Sequence, residues 1–372
     1  MADSMPSFVE ANTSFEKWLA EKIPIIAVDL QEKHRRMAEA VFPFLRATFF
    51  RWIQTYPLLC PELAAAPAVL SVGDLHVENF GTWRDADARL VWGINDFDEA
   101  YSLPYTNDLV RLAASACLAI GEKRLRHEPA CASILAGYRR GLESGGNPFL
   151  LAEQNDLLLS LAETQIKNAA KFYKKLRANQ PPVIPAPAEA IKLLEDALPE
   201  RGIAYQILHR QAGLGSLGRQ RYVALTSWRG GMLARETKPM VLSACLWANP
   251  DRTPRELFIK KAIDTAVRCP DAALRFSENW ICRRLAPDCV KIEVIDHPGE
   301  KDLLSPEQLP SLLELMGSET ANVHLGANGA RQMILLDLDK RQHLHPKWLY
   351  EAVELMLNQV VADWKEWKKS MK

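Results

Sequence analysis

Two short segments carry residue types suited to phosphoryl-transfer chemistry: Gly73-Asp74-Leu75-His76-Val77-Glu78-Asn79-Phe80 and Ile94-Asn95-Asp96-Phe97-Asp98-Glu99. The first sets Asp74 and Asn79 five positions apart with His76 between them, and the second sets Asp96 and Asp98 on either side of Phe97 at the end of an apolar run. Such a set can orient a hydroxyl and hold magnesium on a nucleotide's phosphates. Two carboxylates as close as Asp96 and Asp98 need a cation to remain ionised together. Asp98 is therefore read as a second metal ligand or a braced neighbour, Glu99 as peripheral, and His76 as a neutral buried histidine that supports its loop.

The elements around these motifs follow from local pattern. Leu70-Ser71-Val72 and Leu90–Ile94 read as short strands, so each motif begins where a strand ends and the two can converge on one cleft. Residues 29–55 place Met37, Val41, Phe42, Leu45 and Phe49 near one stripe of a helix expected to pack behind the first motif. A long helix is expected after Pro104, capped by Asn107 or Asp108, with further helical patterns at 129–144 and 149–176. Four prolines in residues 179–187 suit a stiff extended linker, and the lobe boundary is placed there. Beyond a short helix near 188–197, strands are expected at 205–209, 222–228, 232–238 and 280–285, and helices at 253–268, 306–317 and 346–368.

Within the strand-rich stretch, Gly213-Leu214-Gly215-Ser216-Leu217-Gly218 matches G-x-G-x-x-G, a string shared by dinucleotide-binding folds and kinase phosphate loops. A dinucleotide site requires the glycines to run into a helix. Here they run into Arg221-Tyr222-Val223-Ala224-Leu225, β-branched and aromatic, and then a Gly-Gly turn, so strand, glycines, strand is the arrangement. Glycines there let backbone N–H groups approach phosphate oxygens without Cβ clashes. Lys238 on the following strand is in the place of a phosphate-clamping lysine. Glu256 is its nearest helical partner by sequence, although Thr253-Pro254-Arg255-Glu256 also reads as a capping box, the stronger reading. Ser216 can touch a phosphate or simply form the turn.

Size and charge bound the answer. At 372 residues the chain exceeds the usual single-core limit, so two lobes are expected. Its 46 basic and 46 acidic residues cancel, which gives no electrostatic case for nucleic acid or an anionic membrane as main partner. With no apolar run of spanning length and no leader-like start, a cytoplasmic protein is expected. Seven cysteines, scattered and without C-x-x-C pairs, read as buried thiols. His343 and His345 lack the ligand count of a zinc site, and His324 lies on an apolar helix face and reads as core.

The chain resembles the bacterial family called domain of unknown function 2252 through Arg36-Met37 to Phe44-Leu45-Arg46, GDLHVENFG, INDFDEA, DLVRLAAS and GLGSLG. More remotely, the motif pair is similar to aminoglycoside and choline kinases of the protein-kinase-like fold. That resemblance implies ATP and magnesium as cofactors, Asp74 as catalytic base, Asn79 and Asp96 as metal ligands, and Gly213, Gly215, Ser216, Gly218 and Lys238 on the phosphates. It also implies that Asp108 braces the catalytic loop through backbone N–H groups. Motif order departs from those kinases, since here the glycine loop follows the acidic motifs, and no Gly follows Phe97. The expectation is an α+β, two-lobed, circularly permuted kinase-like fold: a helical catalytic lobe at 1–178, a small antiparallel-sheet nucleotide lobe at 179–292, and helices at 293–372 packing back on the first. The expected function is phosphotransfer to an unidentified hydroxyl acceptor. A nucleotide-binding regulatory module, a nucleotidyl transferase and a metal-dependent hydrolase are the competing readings.

Overall fold

A computed structural model describes residues 5–292 and 304–372, so the first four residues and the opening of the expected closing region lie outside the described residues. The chain begins with helices α1 (Phe8–Ala20), α2 (Ala27–Glu39), α3 (Val41–Ala47), α4 (Phe49–Leu59) and α5 (Pro61–Ala64), followed by strands β1 (Ala68–Ser71), β2 (Phe80–Arg84), β3 (Leu90–Ile94) and β4 (Tyr101–Pro104). Next come α6 (Tyr105–Ile120), α7 (His127–Ser144), β5 (Phe149–Leu150), α8 (Leu151–Gln154), α9 (Asp156–Gln165), α10 (Ala169–Arg177) and α11 (Ala188–Asp196). A strand-rich stretch holds β6 (Gln206–His209), β7 (Tyr222–Trp228), β8 (Gly231–Pro239), α12 (Cys245–Ala248), α13 (Ile259–Thr265), β9 (Arg275–Phe276) and β10 (Trp280–Leu285). The chain closes with α14 (Gln308–His324), α15 (Ala330–Leu344) and α16 (Trp348–Ser370).

The result is a mixed α+β architecture with three small antiparallel sheets: β1 with β4, β2-β3-β5, and β6-β7-β8-β10-β9. One large apolar cluster joins the early helices, α6, α7, α14 and α16, while two smaller clusters cover the faces of the five-stranded sheet. Among the described residues no helix is long and apolar enough to cross a membrane.

Several expected elements differ. The single helix foreseen at 29–55 is three, broken at Ala40 and Thr48, which leave helical dihedrals. In an unbroken helix the Pro43 ring would strike the Glu39 carbonyl; the break puts Pro43 in the first turn of α3, where it is tolerated. At the second break the Thr48 hydroxyl donates to the Phe44 carbonyl (2.8 Å). The stretch 149–176 is a strand residue pair and three short helices. Pro104, rather than Asn107 or Asp108, precedes α6, and the first N–H of that helix, on the buried Tyr105, donates to the Pro67 carbonyl (3.1 Å). Helix α13 starts only at Ile259, because Pro254 is held in a loop by the Tyr101 hydroxyl (2.9 Å) and Phe258 turns into the core against the Tyr101 ring. The foreseen capping box at Glu256 therefore does not form. Helix α15 holds His343 in its last turn and ends at Leu344, just before His345.

Candidate functional site

The first motif leaves β1 at Gly73, whose φ of +83° and whose contact with the Glu99 carbonyl leave no room for a Cβ. Asp108, fully buried in the first turn of α6, accepts the N–H groups of Val72 (2.7 Å) and Gly73 (3.0 Å), and also faces His324 Nε2 (3.1 Å). His324 is thus core, as its helix face suggested, but it is tied on its other nitrogen to the Tyr138 hydroxyl (2.7 Å). One turn on, Arg111 reaches the same motif: its Nε donates to Asp74 Oδ1 (2.8 Å), its Nη2 also meets Asp74, and its guanidinium lies over the rings of Phe49 and Trp52. Burial pushes the Asp74 carboxyl up against the pull of Arg111. Further along, Asn79 Oδ1 accepts the His76 N–H (2.6 Å), closing a single 3-10 turn. His76 is buried, and desolvation together with Arg46 and Lys291 holds its pKa well below the usual histidine range, which leaves it neutral.

The second motif is stitched to the first by the Asn95 N–H on the Asn79 carbonyl (2.9 Å). Glu319 of α14 accepts the Ile94 N–H (3.0 Å) at the end of β3, so a distant helix sets where Asn95 and Asp96 emerge. Lys238 of β8 extends its ammonium to Asp98 (2.6 Å) and to Asp96 Oδ1 (3.3 Å). The carboxylates, not Glu256, are its partners. Burial alone would raise the Asp96 carboxyl, but Lys238, Arg283 and Arg221 outweigh it and keep the group ionised. Glu99, expected to be peripheral, is buried and accepts the Ala244 N–H (2.7 Å), the Ser243 hydroxyl (3.0 Å) and Arg219 Nη2 (3.4 Å). It fails to stay at the edge because Gly73, lacking a side chain, lets this segment close onto the first motif.

On the sheet side a single carboxylate gathers cations. Glu236, 1 % exposed, binds Arg221 Nη1 (2.6 Å), Arg283 Nη2 (2.7 Å) and Arg210. These three guanidiniums overcome desolvation and hold its carboxyl well below the carboxylate range. Arg221 also donates from Nη2 to the Ser216 hydroxyl (2.9 Å), linking the sheet to the glycine segment. That segment lies between β6 and β7 and bends through a short 3-10 turn at Leu214–Ser216. Its middle comes down on the first motif: a Cβ at Gly215 would lie 3.0 Å from the Arg46 carbonyl and 3.6 Å from Asp74 Oδ2. It is fastened at its flanks. The Ile26 N–H donates to the Gly218 carbonyl (2.8 Å), Asp29 pairs with His209 (2.7 Å) and accepts from Gln211 (2.6 Å), and Leu214 and Leu217 are buried in the main core.

One cleft of about 790 Å3 is lined by Asp74, Asn79, Asp96, Asp98, Gly213, Gly215, Ser216 and Lys238 together. Gly218 does not line it. With φ of +95° it packs on Leu30 instead, so its freedom serves the turn rather than a ligand. The walls are strongly basic, and the buried Nε groups of Arg46, Arg219 and Arg268 have no hydrogen-bond partner among the described residues. It is the excess of basic side chains in the lining, rather than these enclosed Nε groups, that suits an anionic ligand. No group of three or more His, Cys, Asp or Glu side chains arranged for a metal is found among the described residues. Magnesium on a nucleotide does not need one, because it takes one or two carboxylates and phosphate oxygens. The sequence reading did not single out Arg111, Arg219, Glu236 or Glu319. Two of them carried a signal: Arg111 follows Asp108 by three positions on one helix face, and Glu236 precedes Lys238 by two on one strand face.

Residues 26–180 match the family model described as "Uncharacterized protein conserved in bacteria (DUF2252)", which bears out the family resemblance carried by the early motifs. No curated protein and no solved structure matches the chain.

Proposed function

We propose that this protein is an ATP- and magnesium-dependent phosphotransferase acting on a hydroxyl acceptor, built as a permuted two-lobed kinase-like fold. The observation that carries the reading is the Lys238 ammonium set between Asp96 and Asp98 in a cleft whose glycine segment touches Asp74. Residues 142 positions apart in sequence thereby supply the two halves of one phosphate site. Asp96, Asn79 and Asp98 would hold magnesium, which when bound neutralises phosphate charge. Lys238 and the arginines gathered by Glu236 would take the phosphates, with Gly213 and Gly215 lining the same cleft. Asp74, half-buried and raised in pKa, is placed to accept a hydroxyl proton once the acceptor lies beside its Oδ2. Transfer would join the acceptor oxygen to the terminal phosphorus, break that phosphorus's bond to the bridging oxygen of ADP, and leave the hydroxyl proton on Asp74.

The test is a thermal-shift titration with ATP at millimolar magnesium, followed by product analysis. Wild type should be stabilised; Asp96→Asn should lose that stabilisation; Asp74→Asn should keep it and lose turnover. Absence of any response in wild type would sink the reading. The hold of Arg111 on Asp74 Oδ1 favours one alternative, a nucleotide-binding regulatory module. It predicts ATP binding with no transfer of phosphate or AMP to any product by mass spectrometry.

A further inference from the structure

Lys33 is 3 % exposed on α2, lines the cleft, and its ammonium makes no hydrogen bond or ion pair with any described residue. A lysine in that position costs folding stability, because burial disfavours its charge. Burial brings its pKa down to about 8, with Glu16, Glu99 and Asp74 pulling the other way, so near pH 7 it is mostly protonated. Arg219, whose charge acts on Lys33, is itself shared between Glu99 (3.4 Å) and Asp98 (4.0 Å). The charges acting on Lys33 are Glu16, Arg219, Glu99 and Asp74, whereas those holding Asp96 down are Lys238, Arg283 and Arg221. Lys33 and Lys238 therefore answer to different carboxylates of one cleft, with Arg219 linking them, since its Nη1 lies 4.0 Å from the Asp98 that holds Lys238. A nucleotide's phosphates account for the group around Lys238. They leave the group around Lys33 unused.

We propose that the acceptor is itself an anion, a hydroxyl compound whose carboxylate or phosphate is held by the Lys33 ammonium with Arg219 alongside. This rests on the phosphotransferase reading for the word acceptor, but the anion site stands on its own geometry. Asp74 is among the charges acting on Lys33, and a charge that anchors one end of a substrate serves to position its other end.

The experiment is isothermal titration of the full chain with glycerate and with glycerol 3-phosphate, with glycerol as neutral control and MgATP titrated separately. Both anions should bind and glycerol should not. Lys33→Met should weaken both anions by at least about tenfold while changing MgATP affinity by less than about twofold, and Lys33→Arg should retain the anions. Because Lys33→Met replaces a buried charge with an apolar side chain of similar length, its melting temperature should equal or exceed that of wild type. Anions binding no better than glycerol, an equal loss of MgATP and anion affinity, or a melting temperature that falls with anion binding intact would each overturn the proposal. If wild type binds the anions through Lys33 but never binds MgATP, the phosphotransferase reading falls and the anion site remains.

Discussion

The two sides of the cleft use the same device, a buried carboxylate, to opposite ends. On the helical side Asp108 spends its oxygens on backbone N–H groups and a histidine, and so fixes the path of the chain at Val72 and Gly73. On the sheet side Glu236 spends its oxygens on three arginines, and so fixes charged side chains without touching the chain path. The first yields one well-placed carboxylate, Asp74. The second yields a wall of cations. A site that must aim one proton acceptor and hold several negative charges needs both, and the contrast locates rigidity on one side and charge on the other.

The sharpest way to break this contrast is Glu236→Ala, which leaves three guanidiniums in or near the interior without their common partner. We expect a loss of roughly 3–5 kcal/mol in urea unfolding, the range for a buried ion pair stripped of one member. A loss below about 1 kcal/mol would mean that the arginines organise themselves. A pH measurement sharpens the helical side. Burial brings the Glu319 carboxyl up to about 7 from an ordinary value of 4.5, so between those values the folded protein keeps a proton that the unfolded chain has shed. The contribution of this group is full below about pH 4.5 and is lost as pH rises through about 7, by up to roughly 3 kcal/mol. Glu319→Gln should flatten the melting-temperature profile across that window; an unchanged slope would rule the group out.

Asp108→Asn tests the backbone brace with a smaller change. One of its two oxygens becomes an amide that cannot accept the Val72 or Gly73 N–H, and about 2 kcal/mol should be lost. Smallest is Gly215→Ala, whose new Cβ meets the Arg46 carbonyl at 3.0 Å. About 1 kcal/mol of stability should go, with a larger effect on MgATP affinity measured by titration, since this glycine borders both Asp74 and the cleft.

How much of this was legible depended on range. The strands before Gly73 and Asn95, the helix after Pro104 and the β7–β8 hairpin are local patterns, and they stood in the sequence. The pairing of Lys238 with the second motif could be suspected from residue types alone, though not its choice of Asp98 over Glu256. Glu236 with Arg283 was beyond reach, because they meet only through the register of β8 against β10, which no single strand encodes. The Glu319 contact with Ile94 depends on how α14 packs, 225 residues away. Where α13 starts was misjudged because a hydroxyl on Tyr101 outcompeted a local capping signal.

The anchoring of the glycine segment has a kinetic consequence. Raising it would return Leu214 and Leu217 to water, at roughly 1.5–3 kcal/mol for each leucine, besides breaking its bonds to α2. It is a ceiling and not a door. The lining also includes the exposed lysines 167 and 175, so the cleft meets solvent there without that ceiling being raised.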